Sequence, residues 1–447
     1  MRKPGKILIV GTWIAILPCA AATSQTLDSV IVSDQVQTDD IFSGLVLNVV
    51  EVTETTTGVS TATGAAFNGS VEGVNLDVRA NQNLQANVTA DTRLEAAVSS
   101  GASTVLHTAA TGVTSESNIY GGVLTGVYTQ TVGPGAIYAH SHVEAPLAEA
   151  GDVTASTQAV GASQGFGVSY GAVGARVRQT NQADVVTDGG GVYGHVDGQA
   201  VFAGEASGAN VSASSIGGSG ERYVIDQANN AERVQASQFT AFGSAYMATT
   251  SATASGTNVN AYNEGGFLDV ASQQTNTAYV RGQAVSSAYQ FGAASSIAYG
   301  VGNSFLAGNS GWETVIDAVQ LNDGGGVEVI AEFTGAEGYD ASANATAIGN
   351  AATGYVCSDC EGRLTAVSQQ VNNVGVSATS TVTVTGYARS ARGLAIAVGT
   401  PATFYVGGPG ETCRPPQARP GTALPSPQGE AKVSRIWHSV RTFSCWF

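Results

Sequence analysis

The sequence predicts an all-β fold: a repetitive β-solenoid, or β-helix, of about eight repeats of about 48 residues each. Three observations predict it. Two different markers recur along the chain with one period, the segments around them alternate between small or apolar and polar residues, and the composition is poor in charge and rich in glycine. A repeat that buries little surface alone gains a core only by stacking on its neighbours, as in a solenoid.

The first marker is a glutamine that opens a Gln-x-Asn motif. Five copies follow one another at steps of 48, 47, 46 and 50 residues: Gln179, Gln227, Gln274, Gln320 and Gln370. The same step taken backwards reaches Gln130, Gln82 and Gln35. These three copies keep the glutamine and lack the asparagine, so we interpret them as degenerate repeats.

The second marker is a glycine that follows each glutamine by 28 to 31 residues. The series runs through Gly64, Gly112, Gly161, Gly208, Gly256, Gly302, Gly349 and Gly399. Two independent markers in one register define eight repeats from about Val30 to Val406. The marked residues of adjacent repeats should therefore stack in a ladder, with side-chain amides hydrogen-bonding along it.

Strands and turns follow from local patterns. The run 367–384 alternates with period two, which indicates a strand. Glycine-rich stretches at 188–191, 217–220 and 322–326 are predicted turns, because glycine adopts positive φ freely. If each repeat made two coils at about 4.8 Å per coil, the rod would be on the order of 80 Å long.

Composition and charge bound the function. Only 12% of residues are charged, and the net charge is −16, which argues against nucleic acid or anionic lipid as a partner. No catalytic constellation is visible, so we predict a non-enzymatic protein without catalytic residues, cofactor or metal. His140 and His142 could share a metal from one face of a strand, but they are interpreted as a surface pair.

The chain divides into three parts. Residues 1–22 are predicted to be a Sec-type signal peptide, with a basic start, a short apolar run and small residues up to Ala22. Acylation of Cys19 is the alternative to simple cleavage near Ala22. Residues 23–406 form the predicted solenoid. Residues 407–447 are a predicted disordered tail rich in proline and arginine, because proline cannot donate to a β-ladder.

Two cysteines stand close together in the last third of the chain. Cys357 and Cys360 form a lone C-x-x-C pair, whereas a structural zinc site needs four ligands. In an exported protein, a local disulfide that closes a turn is the better interpretation.

With its repeats laid out, the chain resembles the holdfast-anchoring proteins of stalked bacteria, specifically the D type (HfaD-like). The resemblance lies in the Gln-x-Asn repeats at 274, 320 and 370 and is strongest in the closing stretch 368–406. It implies a structural protein of the outer membrane and cell surface. Such a protein would act with partner anchor proteins to fix adhesive polysaccharide to the envelope. A curli-like self-assembling fibre subunit and an adhesin passenger are the alternatives.

Overall fold

The computed structural model describes residues 29–217, 220–357 and 362–407, and these wind into one parallel sheet of seventeen strands. The described part of the chain contains no helix long and apolar enough to cross a membrane. The strands are β1 (Ser29–Gln37), β2 (Ile41–Val52), β3 (Thr55–Glu72), β4 (Leu76–Leu84), β5 (Val88–Val132), β6 (Ala136–Asn181), β7 (Asp184–Ile216), β8 (Glu221–Asn229), β9 (Arg233–Glu264), β10 (Phe267–Asn276), β11 (Tyr279–Asn309), β12 (Glu313–Asn322), β13 (Val327–Cys357), β14 (Arg363–Asn372), β15 (Val376–Val384), β16 (Ala388–Val398) and β17 (Ala402–Gly407).

Each repeat forms one complete coil, and every strand pairs in parallel with the equivalent strand of the next repeat. Gln35 stands opposite Gln82, and Gln320 stands opposite Gln370. The described residues therefore make eight coils, numbered here 1 to 8 from the N-terminal end. The all-β solenoid is confirmed. The expectation of two coils per repeat is wrong, and the stack of eight coils is about 35 Å long.

Strands such as β11 run around a corner without ending, so one repeat makes a single wide turn. Inward and outward residues alternate over most of the 31 residues of β11, with interruptions at 289–290, 292–293, 300–303 and 307–309. The predicted turn at 322–326 lies between β12 and β13, with Gly324 at a φ of 101°.

The predicted turn at 188–191 is wrong, because these residues lie inside β7. Gly190 there allows close approach between coils, not a reversal of the chain. A Cβ on it would stand 1.8 Å from the carbonyl oxygen of Phe239 in the next coil. Glycine occurs both in turns and where two strands approach closely, so the sequence 188–191 by itself also suggests a turn.

The interior is thin, and it is filled mainly by alanine and valine in three clusters. Each coil runs out along one wall and returns along the other. Side chains from the two walls meet across the interior, as where the Thr108 hydroxyl donates to the Thr92 hydroxyl over 2.7 Å. The predicted core of small side chains is therefore observed, with larger rings such as Phe202 and Phe305 near the corners.

Candidate functional site

A column of glutamine side chains, buried in coils 2 to 7 and half-buried in coils 1 and 8, runs through the molecule and is here called the glutamine ladder. The Nε2 of each glutamine donates to the Oε1 of the glutamine in the preceding coil over 2.7–3.0 Å, from Gln82 onto Gln35 up to Gln370 onto Gln320. The same Nε2 also donates across the coil to a backbone carbonyl, as from Gln227 to Asn258 over 3.0 Å. Both amide hydrogens are thus used, one between coils and one between walls.

The asparagines two positions later form a second ladder with the opposite polarity. Asn181, Asn229, Asn276 and Asn322 each donate from Nδ2 to the Oδ1 of the asparagine in the following coil, over 2.8–2.9 Å. In coils 2 and 3 the same position holds Leu84 and Val132, which are fully buried. Two of the three repeats interpreted as degenerate therefore replace the second ladder with apolar packing, whereas the first has Gln37 at this position.

The glycine marker lies against these ladders. A Cβ on Gly302 would stand 2.4 Å from the carbonyl oxygen of Gly349 and 2.6 Å from the amide nitrogen of Asn322. Gly208, Gly256 and Gly349 have equivalent surroundings, whereas Gly399 in coil 8 has open space. The glutamine, asparagine and glycine columns are consequently one packing unit, and their arrangement stabilises the stack without offering a ligand site.

Several predicted features lie at or beyond the limits of the described residues. Cys357 ends β13 and is disulfide-bonded. Its predicted partner Cys360 lies outside the described residues, so the pairing of the two stays a prediction. The predicted signal peptide 1–22 also lies outside them, as does the predicted tail apart from Gly407, the last residue of β17.

The histidine pair lies on the outer face of coil 3. The Nδ1 of His140 is 2.7 Å from a carboxylate oxygen of Asp91 in coil 2, and the Nε2 of His142 is 3.3 Å from a carboxylate oxygen of Glu144. The two imidazole rings are nearly parallel, with centroids 6.3 Å apart. Within the described residues, no group of three or more His, Cys, Asp or Glu side chains is arranged to hold a metal ion. The pair is thus tied to neighbouring carboxylates on the surface.

A groove of about 590 Å³ opens at the corner where the outgoing wall turns into the returning wall in coils 4 to 8. We call it the tyrosine groove. Its lining includes the side chains of His195, Asp197, Tyr246, Gln290, Glu337 and Tyr339. Sequence reasoning missed this groove, although Tyr246, Tyr289, Tyr339 and Tyr387 recur near the repeat period and could have indicated it.

A smaller groove of about 510 Å³ lies at the opposite corner in coils 1 to 4. It is bordered by Tyr120, whose ring contacts that of Tyr170 edge-on, with centroids 5.9 Å apart. The two corners of the solenoid therefore both carry exposed tyrosine, but only the larger groove keeps its rings apart.

Comparisons with known proteins bear on the family. No curated protein and no solved structure matches the chain. A family model described as HfaD, holdfast attachment protein D, matches residues 50–326, which is more than half of the chain. The matched range includes the repeats at Gln274 and Gln320 and ends before the closing stretch in which the sequence resemblance is strongest. The chain therefore belongs to the holdfast attachment protein D family.

Proposed function

We propose that this protein is a non-enzymatic structural component of the outer membrane that anchors adhesive holdfast polysaccharide to the cell envelope. The family match to a holdfast attachment protein is the observation that carries the proposal. It supports a role at the cell surface, and the ladders support a scaffold.

The ladders support a scaffold because they use the repeated polar groups internally. Each buried glutamine amide bonds both to the adjacent coil and to the opposite wall. Satisfied buried polar networks favour one register over the alternatives, which keeps the stack rigid. The outward positions are then free to differ from coil to coil and to meet different partners.

Export and attachment complete the proposal. The predicted Sec-type signal peptide would deliver the chain across the inner membrane. Other holdfast-anchor proteins would then hold it at the outer membrane, with surface polysaccharide as the second partner.

A deletion strain tests the proposal. Cells without the protein should shed adhesive polysaccharide into the medium, and cells supplied with the full chain on a plasmid should retain it. Fractionation of the complemented strain should recover the chain with the outer membrane. Retention of adhesive by the deletion strain, at the level of the parent strain, would contradict the anchoring role.

The fibre-subunit alternative has one observation in its favour. Large apolar side chains point outward from the first coil, among them Val32, Val36 and Phe42, which are 65–70% exposed. An exposed apolar strand edge is a template for further pairing. Spontaneous dye-positive fibrils of the purified chain at micromolar concentration would favour this alternative over a discrete anchor.

A further inference from the structure

We propose that the tyrosine groove is a saccharide-binding site that holds one pyranose residue of a polysaccharide between Tyr246 and Tyr339, above Gly292. The inference rests on the proposed function and deepens it, because it assigns a site and a ligand class to the attachment role. It also predicts which sugars are rejected.

The spacing of the two tyrosines fits a flat ring. The pairing of Ala245 with Phe291 and of Phe291 with Gly338 places Tyr246, Gly292 and Tyr339 at equivalent positions of coils 5, 6 and 7. Two coil steps separate the tyrosines by about 10 Å. A sugar ring that stacks on both tyrosines lies about 4 Å from each of them, and these two contacts account for most of that distance. Gly292 has no side chain, so the space remains open.

The rings on both sides of the gap are suitably placed. A Cβ on Gly292 would stand 2.4 Å from the carbonyl oxygen of Tyr246 and 3.4 Å from its Cδ2 atom, so the two coils approach closely here and the Tyr246 ring borders the gap. The guanidinium of Arg389, in coil 8, lies over the Tyr339 ring at 5.7 Å from its centroid. Because the cation covers the face of Tyr339 towards coil 8, the other face is turned towards Gly292.

Arg389 is itself held in place. Its Nε donates to Oδ1 of Asp340 over 3.2 Å, and its Nη2 donates to the other oxygen of the same carboxylate. Such a two-bond contact fixes the plane of the guanidinium and with it the neighbouring ring. The groove is therefore largely formed before a ligand arrives, which lowers the entropic cost of binding.

Polar groups at the rim can recognise sugar hydroxyls. The exposed side chains of Gln290 and Glu337 stand opposite each other in adjacent coils, and neither makes a hydrogen bond or ion pair with another described residue. Beside them, the His195 Nε2 is 2.7 Å from a carboxylate oxygen of Asp197. The free carboxylate of Glu337, in a chain of net charge −16, favours a pyranose without a carboxylate over a uronic acid.

The smaller groove lacks these features. The rings of Tyr120 and Tyr170 meet at an interplanar angle of 78° and fill the space between themselves. The amide of Asn118 at that corner is bonded to Glu116 over 3.1 Å. Tyr120 is 56% exposed, close to the 60% of Tyr339, so it offers a matched control.

Calorimetric titration of the purified, exported chain with hexamers of glucose, glucosamine and galacturonic acid tests the site. The first two should bind, and the galacturonate hexamer should bind at least about tenfold more weakly. Tyr246→Ala and Tyr339→Ala should each weaken binding about 3- to 10-fold, whereas Tyr120→Ala should leave it unchanged. The proposal is overturned if none of the three hexamers binds. It is also overturned if all three variants lose the same amount of binding affinity.

The same variants in cells separate this inference from the proposed function. If the deletion strain sheds adhesive and Tyr246→Ala/Tyr339→Ala cells also shed it while displaying the chain, both stand. If the deletion sheds adhesive but the double variant retains it, the site is wrong and the anchoring role survives. If the deletion strain retains its adhesive, the anchoring role fails, and the hexamer titration still decides the site.

Discussion

Gly302 illustrates, at the scale of single residues, how tightly adjacent coils approach. A methyl group there would lie 2.4 Å from a backbone oxygen and 2.6 Å from an amide of the asparagine ladder. We expect Gly302→Ala to lower the free energy of unfolding by about 2 kcal/mol or more, because neither neighbour can move without disturbing a ladder. Chemical denaturation measures the loss.

The matched control is Gly174→Ala. Gly174 also lies in a strand, but its outward side is open, with no atom within 4 Å of a Cβ. Its substitution should leave stability unchanged or slightly raise it, because alanine reduces the freedom of the unfolded chain. Equal losses in the two variants would contradict the role assigned to the glycine column.

Glu221 introduces a pH dependence. Its side chain is fully buried in coil 5, and burial raises the pKa of this carboxyl from 4.5 to about 7, despite a hydrogen bond of 3.1 Å from the Tyr223 hydroxyl. The folded state therefore binds more protons than the unfolded chain between these pH values, so stability falls as the pH rises from about 4.5 to about 7. Above that range the buried charge costs about 3 kcal/mol.

Glu221→Gln should remove this cost. The variant should be more stable than the parent chain at pH 8 and differ little at pH 4.5, as measured by denaturant unfolding at both pH values. Glu72→Gln, at an exposed position, provides the control and should show no such pH-dependent gain. An unchanged pH profile in Glu221→Gln would argue against a buried titrating carboxyl.

At the scale of elements, the glutamine ladder connects coils and walls together. Gln227→Ala removes three hydrogen bonds: the donations to Gln179 and to the carbonyl of Asn258, and the one accepted from Gln274. Because the partners stay buried without replacements, we expect a loss of about 2–3 kcal/mol. Gln273→Ala removes an exposed glutamine from β10 and should change stability by less than about 0.5 kcal/mol. Comparable losses in both would show that the ladder contributes little.

The strand elements were predictable because their alternation of inward and outward residues is local. The ladder residues were predictable because each must match its copy in the next coil. These signals did not predict how many residues make up one coil. Gly190 lies in the middle of a strand, and Gly324 lies at a turn, yet both sit in an Asp-Gly-Gly-Gly sequence. Only contacts between distant residues distinguish them.

At the scale of the whole molecule, stability should be uneven along the stack. Among the described residues, inner coils have neighbours on both sides, while coils 1 and 8 have one, and all but two residues of β16 in coil 8 are exposed. We expect hydrogen exchange to be slowest in coils 4 to 6 and fastest in β16 and β17. Uniform protection across all eight coils would indicate a single cooperative unit instead.

The tyrosine groove is also a property of the whole stack, which is why sequence reasoning missed it. Tyr246 and Tyr339 are 93 positions apart in the chain. They become neighbours across Gly292 only when each repeat makes one coil. With two coils per repeat, equivalent positions of adjacent repeats would no longer lie in adjacent coils. The error in coil number and the missed groove therefore have the same origin.

The hydrogen bonds between coils point along the axis of the stack, and this direction governs how the molecule resists mechanical force. A pull along the axis, applied through the sides of two different coils, is shared by all the bonds between those coils at once. A pull on the free end of the chain loads only the outermost bonds, so a terminal coil peels away one bond at a time. A tether made of this fold is therefore strongest when it is gripped around its flanks.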